Sequence, residues 1–403
     1  MSGNALSSGI PPFSGIRVLD LTQGIAGPYC ANILRLNGAE VVKVEPPAGD
    51  WGRPLGAGVA GATAISIANN FGKLSLCLDA EKPAARNALL RLARSCDVFL
   101  ESFRPGVIER IGVDFDAVAA NNPRVIYCSI TGFGRSGPFA GKPATDGVLQ
   151  AFSGMAVMNK DASGTPRRIG MYAVDTMTGM YAAQAVTAAL FGRERSGEGS
   201  RLNISLHNSA AAFQAVPIMD HAINAAINRG EPPVAIVVPA GIFHTADGRL
   251  SLGALNSDMF FRIAAAIGRE DWIRDPRCAS NESRAAIADE INAAVAALLK
   301  TQTTAHWVAA FEKADALCSA VNDYPAMLAH PQTRHAGFMR SISQPGIGEL
   351  PVAALPGTAG HEGEGGYAPL PAVGANTRQA LAAYGFSETE IDALIASGAA
   401  LQS

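Results

Sequence analysis

The chain has 403 residues, of which 48% are hydrophobic and 17% charged, with a formal net charge of −3 at pH 7. That length suits two domains with sizeable cores, and that balance excludes a disordered chain. With Lys and Arg scattered and no basic excess, nothing points to a polyanion-binding surface and nucleic acid is not an expected partner.

Residues 1–12 lack a basic stretch and an apolar stretch, so no signal peptide is expected. No run of about 20 uncharged apolar residues occurs, so no membrane span is expected. The six cysteines, Cys30, Cys77, Cys96, Cys128, Cys278 and Cys318, show no C-x-x-C spacing. They read as reduced, buried thiols of a cytoplasmic protein, and no metal motif is present.

In chain order, Arg17–Leu21 reads as a buried strand and Gly24–Pro28 as a loop of small residues. A helix from Pro28 to Asn37 follows, stopped by Gly38, and then a strand Glu40–Glu45. This is a βαβ unit with parallel strands. Further strands are expected at Leu74–Leu78, Asp97–Leu100, Val125–Ile130 and Arg201–Leu206, with helices at Lys82–Ser95 and Asp175–Arg193. Strands alternating with helices predict a doubly wound α/β domain. Asn228–Pro233 reads as a linker. Beyond it come a hairpin at Ala246-Asp247-Gly248 and helices at 258–267, 284–300 and 304–314. Residues 340–374 read as extended and Thr377–Ser397 as one helix. The predicted division is residues 1–227 as a large domain, 228–328 as a small α+β domain, and 329–403 as a return segment.

Gly132-Phe133-Gly134-Arg135-Ser136-Gly137 matches G-x-G-x-x-G after a strand. Pro138 and Pro143 continue an irregular loop where a dinucleotide site needs a helix, so it reads as a structural turn. No H-E-x-x-H or G-x-S-x-G occurs. Asp175 opens a helix, where the free N–H groups favour an ionised carboxylate. It is either a helix cap or a nucleophile, and the residues alone favour the cap. Asp146, after a Gly/Pro loop, allows the same two readings. Arg167 and Arg168 are either substrate-carboxylate partners or surface charges.

Several motifs in order resemble those of the CaiB/BaiF, or family III, CoA-transferases. They are Leu19-Asp20-Leu21-Thr22 with Ala26-Gly27-Pro28, Gly38–Pro46, Glu101-Ser102-Phe103-Arg104-Pro105-Gly106 and Ser129–Gly134. Asp146–Gly154, Asp175–Leu190, Gly197-Glu198-Gly199, Thr245–Gly248, Val321-Asn322-Asp323 and the tail from Tyr384 continue the match.

The resemblance implies a Rossmann-like large domain with a parallel sheet, a smaller α+β domain and an interlocked homodimer. It implies transfer of CoA from an acyl-CoA, with succinyl-CoA a candidate, to a small organic acid. CoA is then a substrate and no cofactor is resident. The nucleophile would be Asp175, forming a mixed anhydride and then an aspartyl-CoA thioester, with Asp146 in support. CoA contacts would come from Gly24, Ile25, Ala26, Lys73, Ser102, Phe103, Arg104 and Arg110. Acid specificity would come from the partner's small domain and from loops near Ile25, Arg168 and His244.

Ser102 stands where the family usually has Asn. Ile25 replaces the glutamine of oxalate-directed members, and no glycine-rich loop follows Pro239. Thr145 stands where the α-methylacyl-CoA racemases of the superfamily carry a histidine base, and Asn256 where they carry a glutamate. These argue against oxalate transfer and against racemisation. A racemase and a non-catalytic CoA-binding subunit remain the alternative readings.

Overall fold

A computed structural model describes residues 10–161, 163–227, 237–358 and 366–403. The chain divides into two compact units, residues 1–218 with 337–403, and residues 219–336. The sequence reading put the small domain at 228–328. The second unit thus takes in nine more residues before that range and eight after it. The expected linker at 228–233 lies outside the described residues.

The first unit is built on β1 (Arg17–Asp20), β2 (Glu40–Glu45), a short hairpin β3 (Gly58–Val59) and β4 (Ala62–Thr63), β5 (Leu74–Leu78), β6 (Val98–Glu101), β7 (Ile126–Thr131) and β8 (Ser200–Ser205). Six strands run parallel in the order β5-β2-β1-β6-β7-β8, and the short strand Ala400–Leu401 adds antiparallel to β5. These strands are legible in sequence because they are buried on both faces, as in Val41-Val42-Lys43-Val44, and such strands become near-continuous apolar runs.

Helices cover both faces: α1 (Ala26–Leu36), α2 (Ala64–Asn70), α3 (Pro83–Ala93), α4 (Val107–Ile111), α5 (Phe115–Ala119), α6 (Asp146–Phe152), α7 (Met155–Met158) and α8 (Ala173–Ser196). One core joins Leu19, Val42, Leu76 and Phe99 to α3 and the C-terminal helices. The other joins Val18, Val41, Leu100 and Ile126 to α1 and α8. Gly179 on α8 lies so close to α1 that a Cβ there would sit 2.6 Å from the Ala26 carbonyl oxygen.

The chain enters the sheet at β1, winds to β5, and returns on the other side of β1 as β6. Connections from β1 and β6 therefore part in opposite directions, and a crevice opens at their C-terminal ends, where doubly wound folds bind ligands.

The expected C-terminal helix is two helices, Thr377–Ala383 and Glu388–Ala396. Gly385 at φ 79° ends the first, and Ser387 starts the second with a capping box to Glu390. Residues 340–374 include a hairpin, Met339–Gln344 with Gly348–Ala353.

The second unit is a three-stranded antiparallel sheet of β9 (Ala240–His244), β10 (Arg249–Gly253) and β11 (Leu317–Ala320). Its core holds Leu250, Phe260, Trp272 and Trp307. Thr245–Gly248 makes the expected hairpin connection.

Candidate active site

Two loops meet at the crevice. The one after β1 runs through Gln23 into α1, and the one after β6 runs from Ser102 to Val107. They are tied by the Gln23 N–H donating to Ser102 Oγ at 3.0 Å. Ser102, unlike an unpartnered surface serine, thus holds the neighbouring loop.

Behind the first loop lies a buried charge cluster. Asp50 Oδ1 accepts from the Gly24 and Gly52 amides, both at 2.8 Å, while its Oδ2 takes the Lys43 ammonium at 2.9 Å. Lys43 also donates to the Thr22 carbonyl. Asp20 pairs with Lys73 at 2.9 Å and accepts from the Thr22 hydroxyl. Burial alone would raise the Asp20 carboxyl, but Lys43, Lys73 and Thr22 outweigh it and hold it below the usual carboxylate range. Glu45 closes the cluster through a bidentate pair with Arg53, at 2.6 and 2.7 Å. Gly24 itself has φ 83°, and a Cβ on it would overlap the Trp51 ring.

A cavity of about 610 Å³ opens on these loops. Ile25, Ala26, Ser102, Phe103, Arg104 and Asp175 line it, so six of the expected site residues converge. Thr145 also lines it. Gly24 shapes the wall from behind.

Two expected CoA contacts stand elsewhere. Lys73 is 3% exposed, and its ammonium is taken by Asp20, the Pro28 carbonyl and Asn70 Oδ1, all at 2.9 Å. The buried Asp20 needs a counterion, so this ammonium is not offered to the cavity. Arg110 lies on the exposed side of α4, outside the cavity wall. Gln23, Trp51 and Lys142, which the sequence reading passed over, also line the cavity. Gln23 and Trp51 sit in loops after β1 and β2, positions that the strand assignments mark as facing the crevice.

Asp175 sits in the first turn of α8, partly buried. The residue flanking the helix start is Tyr172, which gives no side-chain cap. The cap comes from Asp146, the first residue of α6, whose Oδ2 accepts from the Val174 amide at 2.7 Å and the Asp175 amide at 3.1 Å. The expectation that helix-start N–H groups keep Asp175 ionised is therefore corrected. Those groups serve Asp146, and burial followed by the Asp146 charge pushes the Asp175 carboxyl up to about 7.

Arg167 and Arg168 are exposed, and His244 is exposed on β9. Asn256 caps the helix Ser257–Ala266 by accepting from the Met259 amide. Gly132–Gly137 is a turn with Gly134 and Gly137 at φ 99° and 93°, followed by irregular chain up to α6. Among the described residues, no cluster of His, Cys, Asp and Glu could hold a metal ion and no helix is long and apolar enough to cross a membrane.

The profile of CoA-transferase family III matches residues 13–377. A probable fatty acyl-CoA transferase of Mycobacterium tuberculosis is 34% identical over 74% of this chain and 79% of its own length. Succinyl-CoA:glutarate CoA-transferase of Mus musculus is 30% identical over 96% of this chain and 90% of its own. A crystal structure of a CaiB/BaiF family protein from Brucella suis superposes with a TM-score of 0.80 at 26% identity, covering 93% of this chain and all of that one.

Proposed function

The chain belongs to CoA-transferase family III, and from that premise we propose that it moves CoA from an acyl-CoA, succinyl-CoA being the first candidate, to a small carboxylic acid through Asp175. The observation that carries this reading is a partly buried carboxylate in the wall of the cavity formed by the loops after β1 and β6.

The Asp175 carboxylate attacks the thioester carbonyl, the C–S bond breaks, and CoA leaves as thiolate from a mixed anhydride. The thiolate then attacks the aspartyl carbonyl and releases the donor acid as its carboxylate. The acceptor carboxylate attacks the resulting aspartyl-CoA thioester and forms a second anhydride, releasing thiolate again. That thiolate takes the acceptor's acyl group, giving acceptor-CoA and free Asp175. No proton is consumed, so no general base is required.

A carboxylate held near 7 suits both halves of this cycle. It is ionised in an appreciable fraction at neutral pH, yet burial leaves it less solvated and a better nucleophile than an exposed aspartate. Arg104 and Lys142 in the wall supply the cations for CoA phosphates. Arg110, exposed on α4 and outside the wall, is given no part in this reading. Asp146 supports Asp175 from behind.

Racemisation needs a second proton-transferring base in the cavity. The residue at the relevant place in the wall is Thr145, whose hydroxyl does not serve as one near neutral pH. The test is transfer of CoA from succinyl-CoA to a panel of short mono- and dicarboxylic acids, followed by liquid chromatography. At least one new acyl-CoA appears with the wild type and none with Asp175→Ala. Exchange of the α-proton of a 2-methylacyl-CoA, with no transfer to any acid, would overturn the reading.

A further inference from the structure

Gln150 lies one turn along α6 from Asp146, on the same face, and is 1% exposed. It does not reach the cavity. Its Nε2 donates to Asp146 Oδ1 at 2.5 Å and to the Met171 carbonyl at 3.2 Å, and its Oε1 accepts from the Ile169 amide at 2.8 Å. Only one orientation of the amide satisfies this set. A flipped amide would set oxygen against two acceptors and nitrogen against a donor.

Asp146 is 6% exposed and spends its other oxygen on the Val174 and Asp175 amides. One side-chain pair on α6 therefore grips the backbone at 169, 171, 174 and 175, which is the whole approach to Asp175. Tyr172, the residue flanking the α8 start, supplies no such cap from its own side chain.

We propose that Gln150 is a positioning residue for acyl transfer: it locks the Asp146 carboxylate onto the first amides of α8 and holds the chain leading into that helix, so that the Asp175 carboxylate meets the cavity in one orientation. This rests on Asp175 as the nucleophile. A nucleophile must stand in near-attack geometry, and a displacement of the order of 1 Å costs about 100-fold in rate.

The test is the single-turnover rate at which acyl-CoA loads Asp175, with CoA affinity and melting temperature measured on the same variants. Gln150→Leu removes all three hydrogen bonds at nearly constant volume. It is expected to slow loading by about 10- to 100-fold while changing CoA affinity by less than about 3-fold. Gln150→Glu sets two carboxylates together and is expected to be slow as well. Adding Asp146→Asn to Gln150→Glu restores the donor–acceptor match between the two side chains, while the contact to the Met171 carbonyl stays lost. The asparagine nitrogen then donates to the glutamate, and its oxygen still accepts from Val174 and Asp175. Loading by this double variant is expected to recover by about 10-fold over Gln150→Glu, a rescue that a general loss of folding would not show. Gln150→Leu loading at the wild-type rate, or a double variant no faster than Gln150→Glu, would overturn the proposal. A wild type that never loads Asp175 would instead remove the nucleophile reading and this inference with it.

Discussion

Replacing Asp175 by asparagine should stabilise the protein, and by an amount that grows with pH. Burial and the neighbouring Asp146 raise this carboxyl from 3.8 to about 7 in the folded chain. The folded state therefore resists ionisation that the unfolded state accepts. Stability from this group is fully present below about pH 4 and is lost as pH rises to about 7, above which the loss levels off. At about 1.4 kcal/mol per pH unit, the loss is about 2 kcal/mol at pH 5.5 and about 4 kcal/mol at pH 8. Partial exposure makes both figures upper bounds. The substituted side chain carries no charge for its surroundings to oppose, so the melting-temperature gain of Asp175→Asn over wild type should roughly double between pH 5.5 and pH 8. Thermal denaturation of the ligand-free proteins across that range reads it directly. A gain independent of pH, or a loss at pH 8, would refute the claim that Asp175 is held against its charge.

Loading of Asp175 by acyl-CoA should follow the same ionisation, with a single-turnover rate at pH 6 about a tenth of that at pH 8; a flat profile would contradict it. Gly24→Ala forces a side chain into the left-handed region and against Trp51, and a loss of at least about tenfold in kcat/KM is expected from steady-state assays. Arg104→Ala should raise KM for acyl-CoA about tenfold with kcat within about 2-fold, as loss of one charge-assisted contact made equally in ground and transition states. Trp51 is 52% exposed in the cavity wall, whereas Trp272 and Trp307 are buried in the second unit. CoA binding should therefore change tryptophan emission, and Trp51→Phe should abolish the change.

What sequence made legible was local or repetitive. Val18-Leu19, Val41-Val42, Phe99-Leu100 and Ile126–Ile130 are buried on both faces of one sheet, so each strand announces itself as an apolar run. The observed strand order puts the crevice after β1 and β6, and Ile25, Ser102 and Arg104, expected there from the family resemblance alone, line it. What sequence hid was set by contacts distant along the chain. Asp175 looked like a carboxylate soothed by its own helix, but Asp146, 29 residues earlier, takes those amides. The resemblance made Lys73 a CoA contact, but Asp20, 53 residues earlier, holds it as counterion. Gln150 lies inside the matched segment Asp146–Gly154, but nothing there singled it out, and its role is visible only from the groups it reaches. The C-terminal helix splits for a local reason, because Gly385 was read as a helical residue when its left-handed φ ends the turn; the expected helix at 284–300 is likewise broken, into Asn281–Ala285 and Ala288–Leu299.

Covalent chemistry at one side chain is the central claim. Wild-type protein incubated with succinyl-CoA, quenched, digested and examined by mass spectrometry should carry CoA, or a hydroxamate after hydroxylamine, on the peptide containing Asp175. The mark should vanish in Asp175→Ala. CoA transfer proceeding at full rate with Asp175 unmarked, or in the Asp175→Ala protein, would contradict it.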